Sequence, residues 1–177
     1  MSKPTLATVW LDGCSGCHMS FLDIDDRIIQ LGEKADLVYS PLVDAKTFPE
    51  SVDITLVEGS VSTEEDLHKI RLVRRKTKIL VSLGDCAVTA NVPSMRNPFG
   101  TSAVLNRAYV ENATLDLRPP TEVVPKLLPQ ARPVHELVPV DVFVPGCPPS
   151  ADTIFFVVSE LLEGRQPSLS SRTRFGA

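Results

Sequence analysis

The chain reads as an α/β protein: a doubly wound parallel sheet with a proline-rich, irregular C-terminal third. Three observations predict this. Short β-rich runs alternate with helix-period patterns through the first half, the spacing of βαβ units. A helix with a capping signal sits between the third and fourth runs. Nine of the fifteen prolines then crowd into residues 119–149, which excludes a long helix there. The elements follow in order. Leu6-Ala-Thr-Val-Trp-Leu11 is a strand, and residues 19–31 form one helix with Phe21, Leu22, Ile28 and Ile29 as its apolar positions. Leu37-Val-Tyr39 and Val52-Asp-Ile-Thr-Leu-Val57 are the next two strands. Ser62 precedes Glu65 by three, opening a helix whose stripe is Leu67, Ile70 and Val73. Lys78-Ile-Leu-Val-Ser-Leu83 is the fourth strand. Residues 88–109 hold two short helices separated by residues 92–98. Val140-Asp-Val-Phe-Val144 recovers a strand, and Ser150 caps a final helix carrying Ile154, Phe155, Val157, Val158, Leu161 and Leu162, with Gly164 as its stop.

The expected organisation is one domain over residues 1–164 and a tail over 165–177, which carries Arg165, Arg172 and Arg174 and no acidic residue. The tail is expected to be mobile or ordered only by a partner. With 177 residues and 43% hydrophobic content the chain can bury a real core. Its 18 basic and 22 acidic residues leave a net charge of −4, which argues against nucleic acid as a partner. Its apolar runs fall far short of the roughly 20 residues a membrane span needs. Residues 1–5 lead straight into a strand-like run with no secretory pattern or twin arginine, so a cytoplasmic location and reduced thiols are expected.

The informative residues are the four cysteines. Cys14 and Cys17 follow the first strand in Leu11-Asp-Gly-Cys-Ser-Gly-Cys17. Cys86 follows the fourth in Ser82-Leu-Gly-Asp-Cys86, and Cys147 follows the last in Phe143-Val-Pro-Gly-Cys147. In a parallel sheet these strand ends share one edge, where ligands bind. Gly13, Gly16, Gly84 and Gly146 adjoin the cysteines, and a missing Cβ lets backbone approach a bulky group. Each loop leads toward a helix start, whose free N–H groups and dipole favour negative charge.

Four readings compete for these residues. Cysteines can be small core hydrophobes, yet all four lie in glycine-containing loops rather than strands. A four-cysteine zinc site normally uses two close pairs, and only one is present. Cys14-Ser-Gly-Cys17 between strand and helix has the arrangement of a thioredoxin-like dithiol, which leaves Cys86 and Cys147 unexplained. A thiolate-bound [4Fe–4S] cluster accounts for all four.

At Leu11-Asp-Gly-Cys-Ser-Gly-Cys-His-Met-Ser-Phe21, Val57-Glu-Gly-Ser-Val61, Gly84-Asp-Cys86 and Gly146-Cys-Pro-Pro-Ser-Ala151 the sequence resembles the [NiFe]-hydrogenase small subunits and their relatives, among them the 20-kDa-type subunit of respiratory NADH:quinone oxidoreductase. The likeness runs from about Leu6 to Leu162. It implies a flavodoxin-like fold and one proximal [4Fe–4S] cluster on Cys14, Cys17, Cys86 and Cys147, with the backbone of Gly13, Gly16 and Gly146 close to it. The respiratory relatives resemble one another in an adjacent cysteine pair at the first site, where this chain has C-x2-C. Exported small subunits carry an added C-terminal domain with two more clusters, and none is expected here. It looks most like the small subunit of a cytoplasmic NAD-reducing hydrogenase. That likeness implies a large subunit holding a Ni–Fe centre and a diaphorase module with FMN and further clusters. A respiratory-complex-like subunit, a flavodoxin-like flavin carrier and a thiol oxidoreductase stand as alternatives.

Glu58, on the same sheet edge as the cysteines, is read two ways. By resemblance it lies at the cluster and partner interface and helps proton movement; by position it is a strand-end carboxylate facing helix N–H groups. His18 is expected beside the cluster or facing a partner rather than as a ligand. His68 and His135 are expected on the surface. Six of the ten residues from Lys69 to Lys78 are basic, read as the favourable C-terminal end of a helix rather than a docking patch. Residues 119–139 are expected either to strap across a large subunit or to fold over this chain's own core.

Overall fold

The computed structural model describes residues 3–173. Seven strands occur there: β1 (Thr5–Trp10), β2 (Asp36–Tyr39), β3 (Val52–Glu58), β4 (Val61–Thr63), β5 (Thr77–Leu83), β6 (Leu127–Arg132) and β7 (Val142–Val144). Five form one sheet in the order β2-β1-β3-β5-β7, and every neighbouring pair is parallel. That is the doubly wound order expected, with the chain reversing direction across the sheet between β1 and β3. The helices are α1 (Gly16–Leu22), α2 (Arg27–Lys34), α3 (Glu64–Lys76), α4 (Gly84–Thr89), α5 (Asn91–Ser94), α6 (Thr101–Asn106) and α7 (Ala151–Leu162).

One side of the sheet is packed by Phe21, Ile24, Leu31, Ile154, Val157, Val158 and Leu161, from α1, α2, α7 and their connections. The other is packed by Ile70 and Val73 of α3 with Phe48, Val134 and Val138. Two covered faces explain why β3 and β5 are buried almost throughout.

Several expectations need correction. The single helix over residues 19–31 is two. Three aspartates at 23, 25 and 26 compete with helical hydrogen bonding, and Asp25 takes the left-handed conformation at φ 60°. The break buries Ile24 and rotates Leu22 and Ile29 outward to 48% and 69% exposure. The capping box of α3 lies one residue later than read. Thr63 Oγ1 accepts from Asp66 N–H at 3.0 Å, and Asp66 Oδ2 accepts from Thr63 N–H at 3.0 Å. Residues 92–98 do not merely separate two helices, because α5 runs through Pro93. Past α6 the chain widens into a π-helical turn at Arg107–Glu111.

The proline-rich region contains β6, which pairs antiparallel with β4. Val134 and Val138 are buried in this chain's own core, so this half of the segment folds inward rather than strapping a partner. Residues Leu115, Leu117, Val123 and Val124 are exposed. The tail as far as residue 173 is ordered by its own chain. Pro167 is buried, Leu169 packs on the first core, and the Arg172 guanidinium lies 4.0 Å from the Phe156 ring centre. Arg174 lies outside the described residues. Ser150 caps α7 as expected, accepting from Thr153 N–H at 3.2 Å. Among the described residues no helix is long and apolar enough to cross a membrane.

Candidate functional site

The parallel sheet delivers β1, β3, β5 and β7 to one edge, and the loops after them are tied together there. Asp12 exchanges backbone hydrogen bonds with Ser60 at 3.1 and 2.7 Å, joining the first loop to the turn after β3. Asp85 accepts the Gly146 N–H on Oδ1 at 2.7 Å and donates its own N–H to the Gly146 carbonyl at 2.9 Å, stapling the loop after β5 to the loop after β7. Ser20 Oγ donates to the Pro149 carbonyl at 2.6 Å, closing the ring between α1 and the last loop. Sequence reading passed over Asp85, and its only signal was a position between Gly84 and Cys86.

Cys14, Cys17, Cys86 and Cys147 all line one cavity of about 50 Å³, together with Gly16, Glu58, Asp85, Gly146 and Pro148. Cys17 and Cys86 are buried on its inner side, while Cys14 and Cys147 are exposed at its mouth. The glycines keep it open. A Cβ on Gly84 would lie 2.2 Å from Cys17 Sγ, and one on Gly16 3.3 Å from Cys14 Sγ. One on Gly13 would lie 3.9 Å from Cys86 Sγ. Gly146 differs: at φ 140° it is needed for the Cys147-Pro148-Pro149 turn, where a Cβ would strike Pro149 backbone at 2.7 Å. The Cys147–Pro148 bond is cis.

Polar groups surround the sulfurs. Asn91 Nδ2 donates to Cys147 Sγ at 3.6 Å, and a Val92 N–H reaches Cys86 and lowers its pKa. Burial nevertheless dominates at Cys86 and pushes its thiol up to about 11, with the charges of Cys14, Cys147 and Glu58 adding to it. Burial likewise drives Cys17 far above the ordinary thiol range, helped by Glu58 and by all three other cysteines. A raised thiol favours its protonated form, and a bound metal cation would reverse that preference. Among the described residues no three His, Cys, Asp or Glu side chains are arranged around a single metal ion, and in a cube each thiolate instead binds its own iron. Four thiols from separate loops around a cavity kept open by glycine are a donor set that fits an iron–sulfur cube.

Glu58 ends β3 and reaches the N-terminus of α1. Its Oε1 accepts the Cys17 N–H at 3.2 Å and its Oε2 the His18 N–H at 2.8 Å. These are the second and third amides of a helix whose own N-cap, Ser15, makes no side-chain bond. The carboxylate does the work of the missing cap from a neighbouring strand. His18 is buried and turned inward, its Nδ1 on Glu58 Oε2, rather than facing a partner. Its ring stacks on Trp10 with centres 5.8 Å apart. His68 and His135 are exposed. At the end of α3 and the start of β5, Arg74, Lys76 and Lys78 pair with Asp141, Glu50 and Asp53.

The family described as NADH ubiquinone oxidoreductase, 20 Kd subunit, matches this chain over residues 14–161. The NAD-reducing hydrogenase HoxS subunit delta of Cupriavidus necator is 42% identical over 96% of this chain and 83% of its own length. A chain in a crystal structure of an NAD+-reducing [NiFe]-hydrogenase superposes with a TM-score of 0.93 at 39% identity, covering 98% of this chain and 99% of that one. This chain belongs to the [NiFe]-hydrogenase small-subunit family. The small-subunit fold extends to a [NiFeSe]-hydrogenase chain from Dm. baculatum, at a TM-score of 0.62 and 19% identity, covering 99% of this chain and 70% of that one. Some family members are longer. This chain spans 61% of the sulfhydrogenase 2 subunit delta of Pyrococcus furiosus, to which it is 31% identical over 89% of its own length.

Proposed function

We propose that this small subunit is an electron carrier holding one proximal [4Fe–4S] cluster on Cys14, Cys17, Cys86 and Cys147. It serves a cytoplasmic NAD-reducing hydrogenase, between a large subunit with the Ni–Fe centre and a diaphorase module with FMN and further clusters. The observation that carries this is the meeting of all four thiols at one cavity on the C-terminal sheet edge. Bound there, the cluster supplies one-electron storage and transfer.

The chain's own residues supply the rest. Cys17 and Cys86 form the buried wall, and Cys14 and Cys147 the exposed mouth through which an electron partner is approached. Gly13, Gly16 and Gly84 leave room for the group, and Gly146 shapes the turn that presents Cys147. Asn91 and the Val92 amide direct hydrogen bonds at sulfur, which favours added negative charge. A thioredoxin-like role for Cys14 and Cys17 fits less well, because the raised thiol of Cys17 is the reverse of an activated one. The nearness of Glu58 to Cys17 also keeps a proton-relay role for Glu58 within this proposal.

Anaerobically purified protein should hold iron and acid-labile sulfide in equal amounts, and serine at any of the four cysteines should lower both. Zinc or flavin in their place would overturn the cluster. Co-purification of a nickel-bearing chain separates the hydrogenase from a respiratory-complex-like subunit.

A further inference from the structure

Behind the cysteine cavity four buried side chains form one unbroken hydrogen-bonded line. Glu58, His18, Thr8 and Ser40 are 2%, 4%, 2% and 3% exposed. Glu58 Oε2 meets His18 Nδ1, and His18 Nε2 lies 3.0 Å from Thr8 Oγ1. Thr8 Oγ1 is hydrogen-bonded to Ser40 Oγ at 2.9 Å, and Ser40 Oγ also accepts the Leu42 N–H at 3.2 Å. Toward a carboxylate the ring can only donate, so Nδ1 carries the proton, and Nε2 bonds to Thr8 Oγ1. The ring is thus held at both nitrogens and on one face by Trp10. Neither nitrogen is left for a metal. Helix formation requires only the backbone N–H of His18, so the side-chain line is additional to it.

We propose that His18 is a positioning residue for the cluster site. Anchored by Thr8 and Ser40, it locks the Glu58 carboxylate across the amides of Cys17 and His18. It thereby sets the direction of Cys17 Sγ and the negative charge fixed behind it. This rests on the reading that the four cysteines hold a cluster. Without the imidazole donor, the carboxylate charge beside Cys17 is less compensated, and uncompensated negative charge disfavours taking up an electron.

Three variants test this in the anaerobically purified complex. His18→Phe keeps a ring against Trp10 and removes both hydrogen bonds, His18→Asn restores one donor toward Glu58, and Thr8→Val cuts the line at its far end. Iron and sulfide content, the cluster midpoint by EPR-monitored redox titration, and amide hydrogen exchange at Cys17 and His18 are measured on each. His18→Phe is expected to lower the midpoint and to speed exchange of the two amides roughly tenfold, the loss of about one buried hydrogen bond. Thr8→Val shifts both in the same direction by less, and His18→Asn falls between His18→Phe and wild type. A His18→Phe protein with full iron and sulfide, the wild-type midpoint and wild-type exchange overturns the proposal. Should His18→Phe fail to fold or load, Thr8→Val decides, and wild-type values in it overturn the proposal equally. Wild-type protein free of iron and sulfide would instead overturn the cluster reading, while the exchange rates would still judge the clamp.

Discussion

Gly84 sits at φ 81° with the Cys17 sulfur where its Cβ would be. Alanine there meets two obstacles, a left-handed backbone worth about 1 kcal/mol and a 2.2 Å contact. Gly164 supplies the control, since it has φ 72° and open space around the same position. We predict that Gly164→Ala lowers Tm by a few degrees at most, about 2–4 °C per kcal/mol at this size. Gly84→Ala should lower Tm further and also reduce bound iron and sulfide. Full cluster content in Gly84→Ala would mean that Cys17 does not depend on this opening. Asp53 shows how charge is used away from the site. Lys78, and then the Thr5 amide, hold its carboxyl below the usual range. Its bonds tie the starts of β1, β3 and β5 at 2.7 to 2.9 Å. A carboxyl depressed on folding stabilises the native state above about pH 4 and stops doing so as acid protonates it. Asp53→Asn should therefore lose under about 1 kcal/mol near neutrality, and the gap to wild type should close in urea melts toward pH 3. A gap independent of pH would assign the loss to packing instead.

At the scale of elements, α7 begins on a single side-chain cap. Ser150→Ala removes the acceptor for Thr153 N–H and should cost about 1 kcal/mol, read as a Tm lower by roughly 2–4 °C. An unchanged Tm would show that water replaces the hydroxyl. The strands of the main sheet were legible in the sequence within a residue or two, because each is a short run rich in aliphatic and β-branched residues. The ribbon of β4 and β6 was not. Its strands are short, β6 contains Pro129, and its antiparallel pairing joins Val61 to Arg132 across a separation that no local pattern records. The split between α1 and α2 escaped for the opposite reason. Apolar residues continue at helical spacing on both sides of the break, and the aspartates between them win locally.

On the whole-molecule scale, four cysteines could be assigned to one place because parallel strands carry their following loops to one edge. Of the clasp that secures them, only Glu58 was legible, its strand-end position setting it against helix N–H groups. Asp85 to Gly146 and Ser20 to Pro149 depend on side-chain reach between elements, which spacing along the chain does not encode. The proposed assembly makes a prediction at this scale. Residues 113–126 expose Leu115, Leu117, Val123 and Val124, an apolar surface of the sort a partner covers. Limited proteolysis should cut this segment in the isolated subunit and spare it in the complex with the large subunit. Equal cutting in both would place the partner elsewhere.

Strand β7 is the last of the sheet's strands in chain order, and Cys147 follows it. A chain emerging from the ribosome therefore offers two thiols until residue 86, three until residue 147, and the fourth only there. With the proposed ligands, cluster insertion must wait until translation has passed Cys147, so delivery of iron and sulfide follows the synthesis of β7.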